Sequence, residues 1–160
     1  MIRSAVLLLA LALVALPTPG SAQRPAAPFT PRFEAVADTR LLMEGMLNSN
    51  YRSLDKLLKN KPTDRETWVF ARGQAILIAE AGNLLLLRPP KGTGRDPWMK
   101  LAMDMRSRAI VLATATAAKD HARSVKALAD LKAGCVGCHQ AFRVGIQLDP
   151  DKVLGETDAE

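Results

Sequence analysis

Both cysteines of this 160-residue chain fall in one five-residue window, Cys135-Val136-Gly137-Cys138-His139. Cys-x-x-Cys-His is the spacing of covalent c-type haem attachment. On a helix the two sulfurs stand one turn apart on the same side, so both reach the vinyl groups along one haem edge and form thioethers. His139, next to Cys138, then lies under the ring as an iron ligand. The same residue types allow other chemistry. A structural zinc site wants four ligands, and the chain offers Cys135, Cys138, His121 and His139 without the paired-histidine spacing of a finger. A thioredoxin-like dithiol belongs in a βαβ context and is not normally followed by histidine on a helical background. Two inert thiols brought together by chance are the remaining alternative. One covalently attached haem c is the favoured reading.

The elements that must position this window begin after an export signal. Met1, Ile2 and Arg3 form a short positive start, Ala5 to Leu16 is an apolar run, and Pro17 to Ala22 ends in small residues suited to cleavage after Ala22. Twelve apolar residues fall short of the roughly 20 needed to cross a bilayer. The expected mature protein is therefore periplasmic, with no membrane span. A second apolar run, Ala75 to Leu87, contains Glu80 and Asn83 and reads as a buried or interface helix. Cleavage removes only Arg3 of the charged residues, lowering the net charge from +6 to +5. The expected organisation is 1–22 signal, 23–31 Pro-rich lead, 32–147 helical domain and 148–160 acidic tail.

Aromatic residues are only 4% of the chain, which excludes a strand-rich sandwich or barrel and leaves an Ala- and Leu-rich helical core. Thr30 and Pro31 form a cap-plus-proline start for a first helix that Pro62 closes. Its inward stripe at 100° per residue is Val36, Arg40, Met43, Leu47, Tyr51, Leu54 and Leu58, with Met46 at the edge and Leu42 pointing away. Thr63 or Asp64 caps a second helix, with Trp68, Ala71, Ala75, Ala79, Gly82 and Leu86 inward and Pro89-Pro90 as its stop. Ile76, Leu77, Leu84, Leu85 and Leu87 are left over, which suggests a homodimer contact. Asp96 before Pro97 starts a third helix with Trp98, Leu101, Ala102, Met105, Ala109, Leu112, Ala113 and Thr116 inward. Asp120 caps a fourth, whose inward set is Val125, Leu128, Leu131, Cys135, Cys138, His139 and Phe142, with Ile146 its last periodic residue. The fold class is all-α: an antiparallel up-down four-helix bundle with a C-terminal haem-attachment motif.

That layout, together with CVGCHQAFR from Cys135 to Arg143, resembles cytochrome c′ and its methionine-ligated relatives, the class II c-type cytochromes. The resemblance spans about Phe33 to Val144. It implies His139 as proximal iron ligand, Cys135 and Cys138 as thioether attachments, and Arg143 near the proximal side of the haem. It also implies that the first helix supplies the residue on the other face of the iron, with an arginine shortly before it; Arg40 and Met43 match those roles. From the residues alone, Met43 is preferred to Met46 because it lies nearer the middle of the stripe. Its thioether would raise the reduction potential, although core filler is the ordinary role of a buried methionine. Arg40 on an apolar stripe needs a partner, for which a haem propionate, Glu44 or a solvated helix end would serve. Trp68 and Trp98 read as core residues, and His121, nearly five turns from His139, as solvated.

The first functional expectation is an electron carrier with His139 and Met43 on the iron and no enzymatic bond chemistry. The second is a five-coordinate cytochrome c′ that binds a diatomic gas, nitric oxide or carbon monoxide. The third, of a different kind, is an exported dithiol oxidoreductase using Cys135 and Cys138. Partner proteins would be redox partners, for which the basic surface suits acidic ones. No dense Lys/Arg run suggests nucleic acid, and KGTGR, from Lys91 to Arg95, lacks the pattern of a phosphate loop.

Overall fold

A side-chain cap, not a proline, starts the first helix. In the computed structural model, which describes residues 32–144, the Asp38 carboxylate accepts from the Leu41 amide at 2.7 Å and α1 opens at Thr39–Leu42. The expected start at Thr30-Pro31 is corrected, since residues 32–38 are not helical; Thr30 and Pro31, like the signal, the lead, Ile146 and the acidic tail, lie outside the described residues. Phe33 and Val36 are almost fully exposed. Helix formation begins where an orphan amide gains a partner and Leu42 gains a core to enter.

α1 continues without a break into a π-helical segment, Met43–Asn48, and then into α2, Ser49–Leu58. Pairing from i to i+5 adds a residue to the turn, and the freed carbonyls need other donors. Ser49 Oγ donates to the Gly45 and Met46 carbonyls, and the buried Asn50 amide donates to Met46 O. Residues upstream are thereby rotated by about one position. This corrects the straight-helix stripe: Leu42, expected outward, is buried, whereas Arg40 is exposed; Val36, expected inward, is exposed because it precedes the helix. Leu47, Leu54 and Leu58 are buried as expected.

α3, Arg65–Leu86, is capped by Asp64, whose carboxylate accepts from the Thr67 amide and hydroxyl. Trp68, Ala71, Ala75, Ala79 and Gly82 are buried, and so are Ile78, Ala81 and Leu85. Leu85 therefore belongs to the core and Leu84 packs against it, while Ile76, Leu77 and Leu87 remain exposed with Val69 and Phe70. α3 is long and apolar enough to cross a membrane by length and composition, but its inward residues fill this domain's own core. α4, Arg95–Ala117, approaches closely: a Cβ on Gly82 would lie 2.9 Å from Arg106 Cβ and 3.2 Å from the Ala102 carbonyl.

The expected cap at Asp96 is also corrected. Gly94 is the N-cap and Asp96 lies in the first turn, where its carboxylate still suits the helix dipole and Pro97 lacks only an amide that would have no helical partner. α5, His121–Ala141, starts at the Asp120 cap, whose carboxylate accepts from the Arg123 amide at 3.0 Å. Its buried residues are Ser124, Ala127, Leu128 and Leu131; Val125, expected inward, is exposed. Counting the continuous first helix as one, the described residues form four helices and no strand, and from Phe33 onward they belong to one compact unit.

Cross-helix contacts place the helix ends. The Trp98 indole donates to the Leu85 carbonyl at 2.8 Å, and its ring meets Phe142 edge to face at 5.2 Å. Arg88 Nε donates to the Ala37 carbonyl at 2.8 Å. These contacts bring the start of the first helix, the end of α3, the start of α4 and the end of α5 to one side. At the far side, His121 Nε2 lies 3.0 Å from the Leu58 carbonyl and donates to it, and the Trp68 indole donates to the Pro62 carbonyl at 3.0 Å. His121 is thus a half-buried tie, not a solvated side chain.

Candidate haem-attachment site

α5 delivers the cysteine window to the core by continuing the face that buries Leu128 and Leu131. One turn beyond Leu131, Cys135 packs against the core cluster; Cys138 and His139 are half-buried. Both thiols are free. Burial, reinforced by neighbouring Cys138, pushes the Cys135 thiol up to about 11, against a smaller opposing effect of Arg108. Burial also raises Cys138. An attacking thiol is activated by the reverse shift.

Burial lowers the His139 imidazole below its ordinary value, which keeps the ring neutral at pH 7, the form that binds a metal. His139 Nδ1 is buried and has no hydrogen-bond partner. Such an atom costs about 1–3 kcal/mol if nothing meets it. The donor set fits a c-type haem: two thiols one turn apart and a neutral imidazole beside them. The π segment packs on α3, and α2 packs on both α3 and α5.

Just beyond the window, α5 ends in a Schellman motif. The Val144 amide donates to the His139 carbonyl at 2.9 Å and the Arg143 amide to the Gln140 carbonyl at 3.1 Å. Arg143 takes the left-handed position with φ 51°, where glycine is usual, and its side chain is exposed. The expected site residues thus separate into groups. Cys135, Cys138 and His139 share the last turns of α5, and Arg143 follows just past its end. Met43 and Met46 sit on the π segment, both half-buried against the core. Arg40 does not join them: its side chain is 85% exposed and its Nε donates to Glu44 Oε1 at 2.7 Å. Glu44 is the partner that the charge on this stretch required, and the added π residue is what turns Arg40 outward.

Sequence reasoning missed three participants. Tyr51 stands close enough to Cys135 to feel its charge; its phenol is pushed up to about 12, first by burial and then by Asp55 and Cys135. Asp104 and Arg108 on α4 lie over Gly134, immediately before the window. Their i, i+4 spacing was visible, but any exposed helix pair has it. A cleft of about 660 Å³ lined by Leu57, Arg65, Glu66, Thr67, Val69 and Phe70 lies toward the far side and bears no relation to the cysteines. No protein-family model, curated protein or solved structure matches the chain.

Proposed function

We propose that the chain is an exported electron carrier of the class II c-type cytochrome kind, an antiparallel up-down four-helix bundle holding one covalent haem c. The observation that carries this reading is the inward last turn of α5. Cys135 and Cys138 stand there with thiols raised by burial, beside a neutral His139 with an unpartnered ring nitrogen. The meeting of the end of α3 with the start of α4, and of the start of α4 with the end of α5, supports the up-down course.

When bound, the haem supplies a one-electron couple between ferric and ferrous iron. Cys135 and Cys138 would hold the haem through their sulfurs and His139 and Met43 would bind its iron, with Met46 three residues along as the competitor of Met43. A Met thioether as iron ligand would favour the reduced state. Arg143 contributes a positive charge at the proximal end. Arg40, paired with Glu44, serves a propionate only if that exposed pair opens. Trp98 and Phe142 pack edge to face at the end of α5. The redox partner is an exported protein with an acidic docking face, and Val69, Phe70, Ile76, Leu77 and Leu87 give α3 an outer apolar face for a second copy.

A second reading, binding of nitric oxide or carbon monoxide at five-coordinate iron, is favoured by the π segment, which moves Met43 from the middle of the inward stripe. Optical spectra of the mature protein co-expressed with haem-attachment machinery test both. A low-spin spectrum that carbon monoxide leaves unchanged supports the carrier, a high-spin spectrum that carbon monoxide shifts supports gas binding, and absence of covalent haem overturns both.

A further inference from the structure

Arg108 crosses from α4 to α5 one residue before the cysteine window. Its Nε donates to Asp104 Oδ2 at 2.6 Å, and its Nη1 donates to the Asp130 carbonyl at 3.0 Å. The crossing passes over Gly134. A Cβ there would lie 3.0 Å from Arg108 Cδ, 3.1 Å from Arg108 Nε and 3.5 Å from Asp104 Oδ2, so a side chain at 134 would press on Arg108 and require it to shift by a few tenths of an ångström. The side chains of Arg108 and Asp104 are 38% and 43% exposed. An ion pair that open adds little to stability, yet the α5 backbone is left bare to admit it beside Cys135. The guanidinium makes itself felt at that sulfur, opposing the rise that burial imposes on the thiol.

We infer that Asp104 and Arg108 are a matched pair of tuning charges that set the reduction potential of the haem held by Cys135, Arg108 favouring the ferrous state and Asp104 cancelling it. The inference rests on the haem reading proposed above. Reduction moves one electron from the redox partner to the iron and removes one unit of positive charge, with no bond made or broken. A nearby cation therefore stabilises the reduced form and a nearby carboxylate the oxidised form.

Potentiometric titration of the haem-loaded protein tests this. At a fixed poise, Asp104→Asn is expected to raise the reduced-to-oxidised ratio about threefold, or about 30 mV at 59 mV per decade for one electron. Arg108→Gln is expected to lower it by a similar factor, and the double variant to return to the parent value. Arg108→Lys keeps the charge while loosening the bond to Asp130, and is expected to keep the parent potential. Shifts of the same sign in the two single variants, no shift in either, or an Arg108→Lys potential like that of Arg108→Gln would mean a structural bracket and overturn the inference. If Arg108→Gln fails to fold, an Asp104→Asn shift upward still supports it and no shift overturns it. A parent chain without covalent haem overturns this inference together with the reading beneath it, whereas attached haem with unmoved potentials overturns this inference alone.

Discussion

Two helix ends in this molecule are built alike and surrounded differently. α4 stops with the Asp120 amide bonded to the Ala115 carbonyl and the Lys119 amide to the Thr116 carbonyl, Lys119 standing at φ 55°. α5 stops with the same pair of bonds and Arg143 at φ 51°. Around the end of α4 the polar groups find partners in the chain: Asp120 goes on to cap α5, and His121 reaches the Leu58 carbonyl. Just inside the end of α5, His139 Nδ1 is buried without a partner and two thiols are half covered. The backbone device is common to both ends, so the difference lies in the side chains: the end of α5 keeps a buried ring nitrogen without a partner, and the end of α4 pairs its polar groups within the chain.

The sharpest way to break the comparison is to remove the two sulfurs. Cys135→Ala/Cys138→Ala is expected to abolish covalent haem completely, read as haem remaining with the polypeptide after denaturing separation. His121→Ala at the other end is expected to leave attachment intact. Next in size is the axial position. Met43→Ala is expected to convert a low-spin, carbon monoxide-resistant spectrum into a high-spin one that binds carbon monoxide stoichiometrically, with Met46→Ala leaving it low-spin. The opposite pattern would give the iron to Met46.

How much of this was legible in the sequence depends on whether a rule needed only local information. The cap at Asp120, a cap for α3 at Thr63 or Asp64, most of the buried faces of α3 and α4, and the placement of Cys135 against the core all follow from spacing and short-range hydrogen bonds. The first helix shows where that fails. Its 3.6-residue stripe predicts Leu54 and Leu58 correctly and Leu42 and Arg40 wrongly, because the π turn between them changes the phase. The Ser49 hydroxyl and Asn50 amide that support that turn look, in sequence, like ordinary polar residues. The Asp104–Arg108 pair over Gly134 was out of reach for another reason: it depends on how closely α4 and α5 approach, and no periodicity within one helix contains that distance.

Packing effects come after ligand effects. Leu131 is fully buried one turn before Cys135, and Leu131→Ala is expected to cost about 2–5 kcal/mol in denaturant unfolding. Leu54→Ala, equally buried in α2, falls in the same range. If haem packs directly on the Leu131 face, the Leu131 variant loses more in the loaded protein than in the unloaded one, and the difference between the two measures that contact.

The helix ends themselves give smaller and opposite effects. Asp120→Ala removes the cap of α5 and is expected to destabilise by about 1 kcal/mol. Arg143→Gly relieves a left-handed residue at the other end of the same helix and is expected to stabilise by about 1 kcal/mol, while removing a charge from the proximal end. Thermal unfolding measures both, and a loss of stability in Arg143→Gly would mean that the arginine side chain makes a contact outweighing its backbone strain.

The smallest effect is a pH dependence at Asp64. Hydrogen bonds from the Thr67 hydroxyl and amide hold its carboxyl below the ordinary carboxylate range. A group whose folded value is depressed stabilises the fold above its unfolded value, near 4 for aspartate, and that contribution is lost as pH falls through the folded value. The difference in urea midpoint between the parent and Asp64→Asn is therefore expected to be full at pH 7 and to shrink steadily below about pH 4. A difference independent of pH would mean that the cap works through hydrogen-bond geometry alone, with the ionised carboxylate adding nothing over a neutral amide.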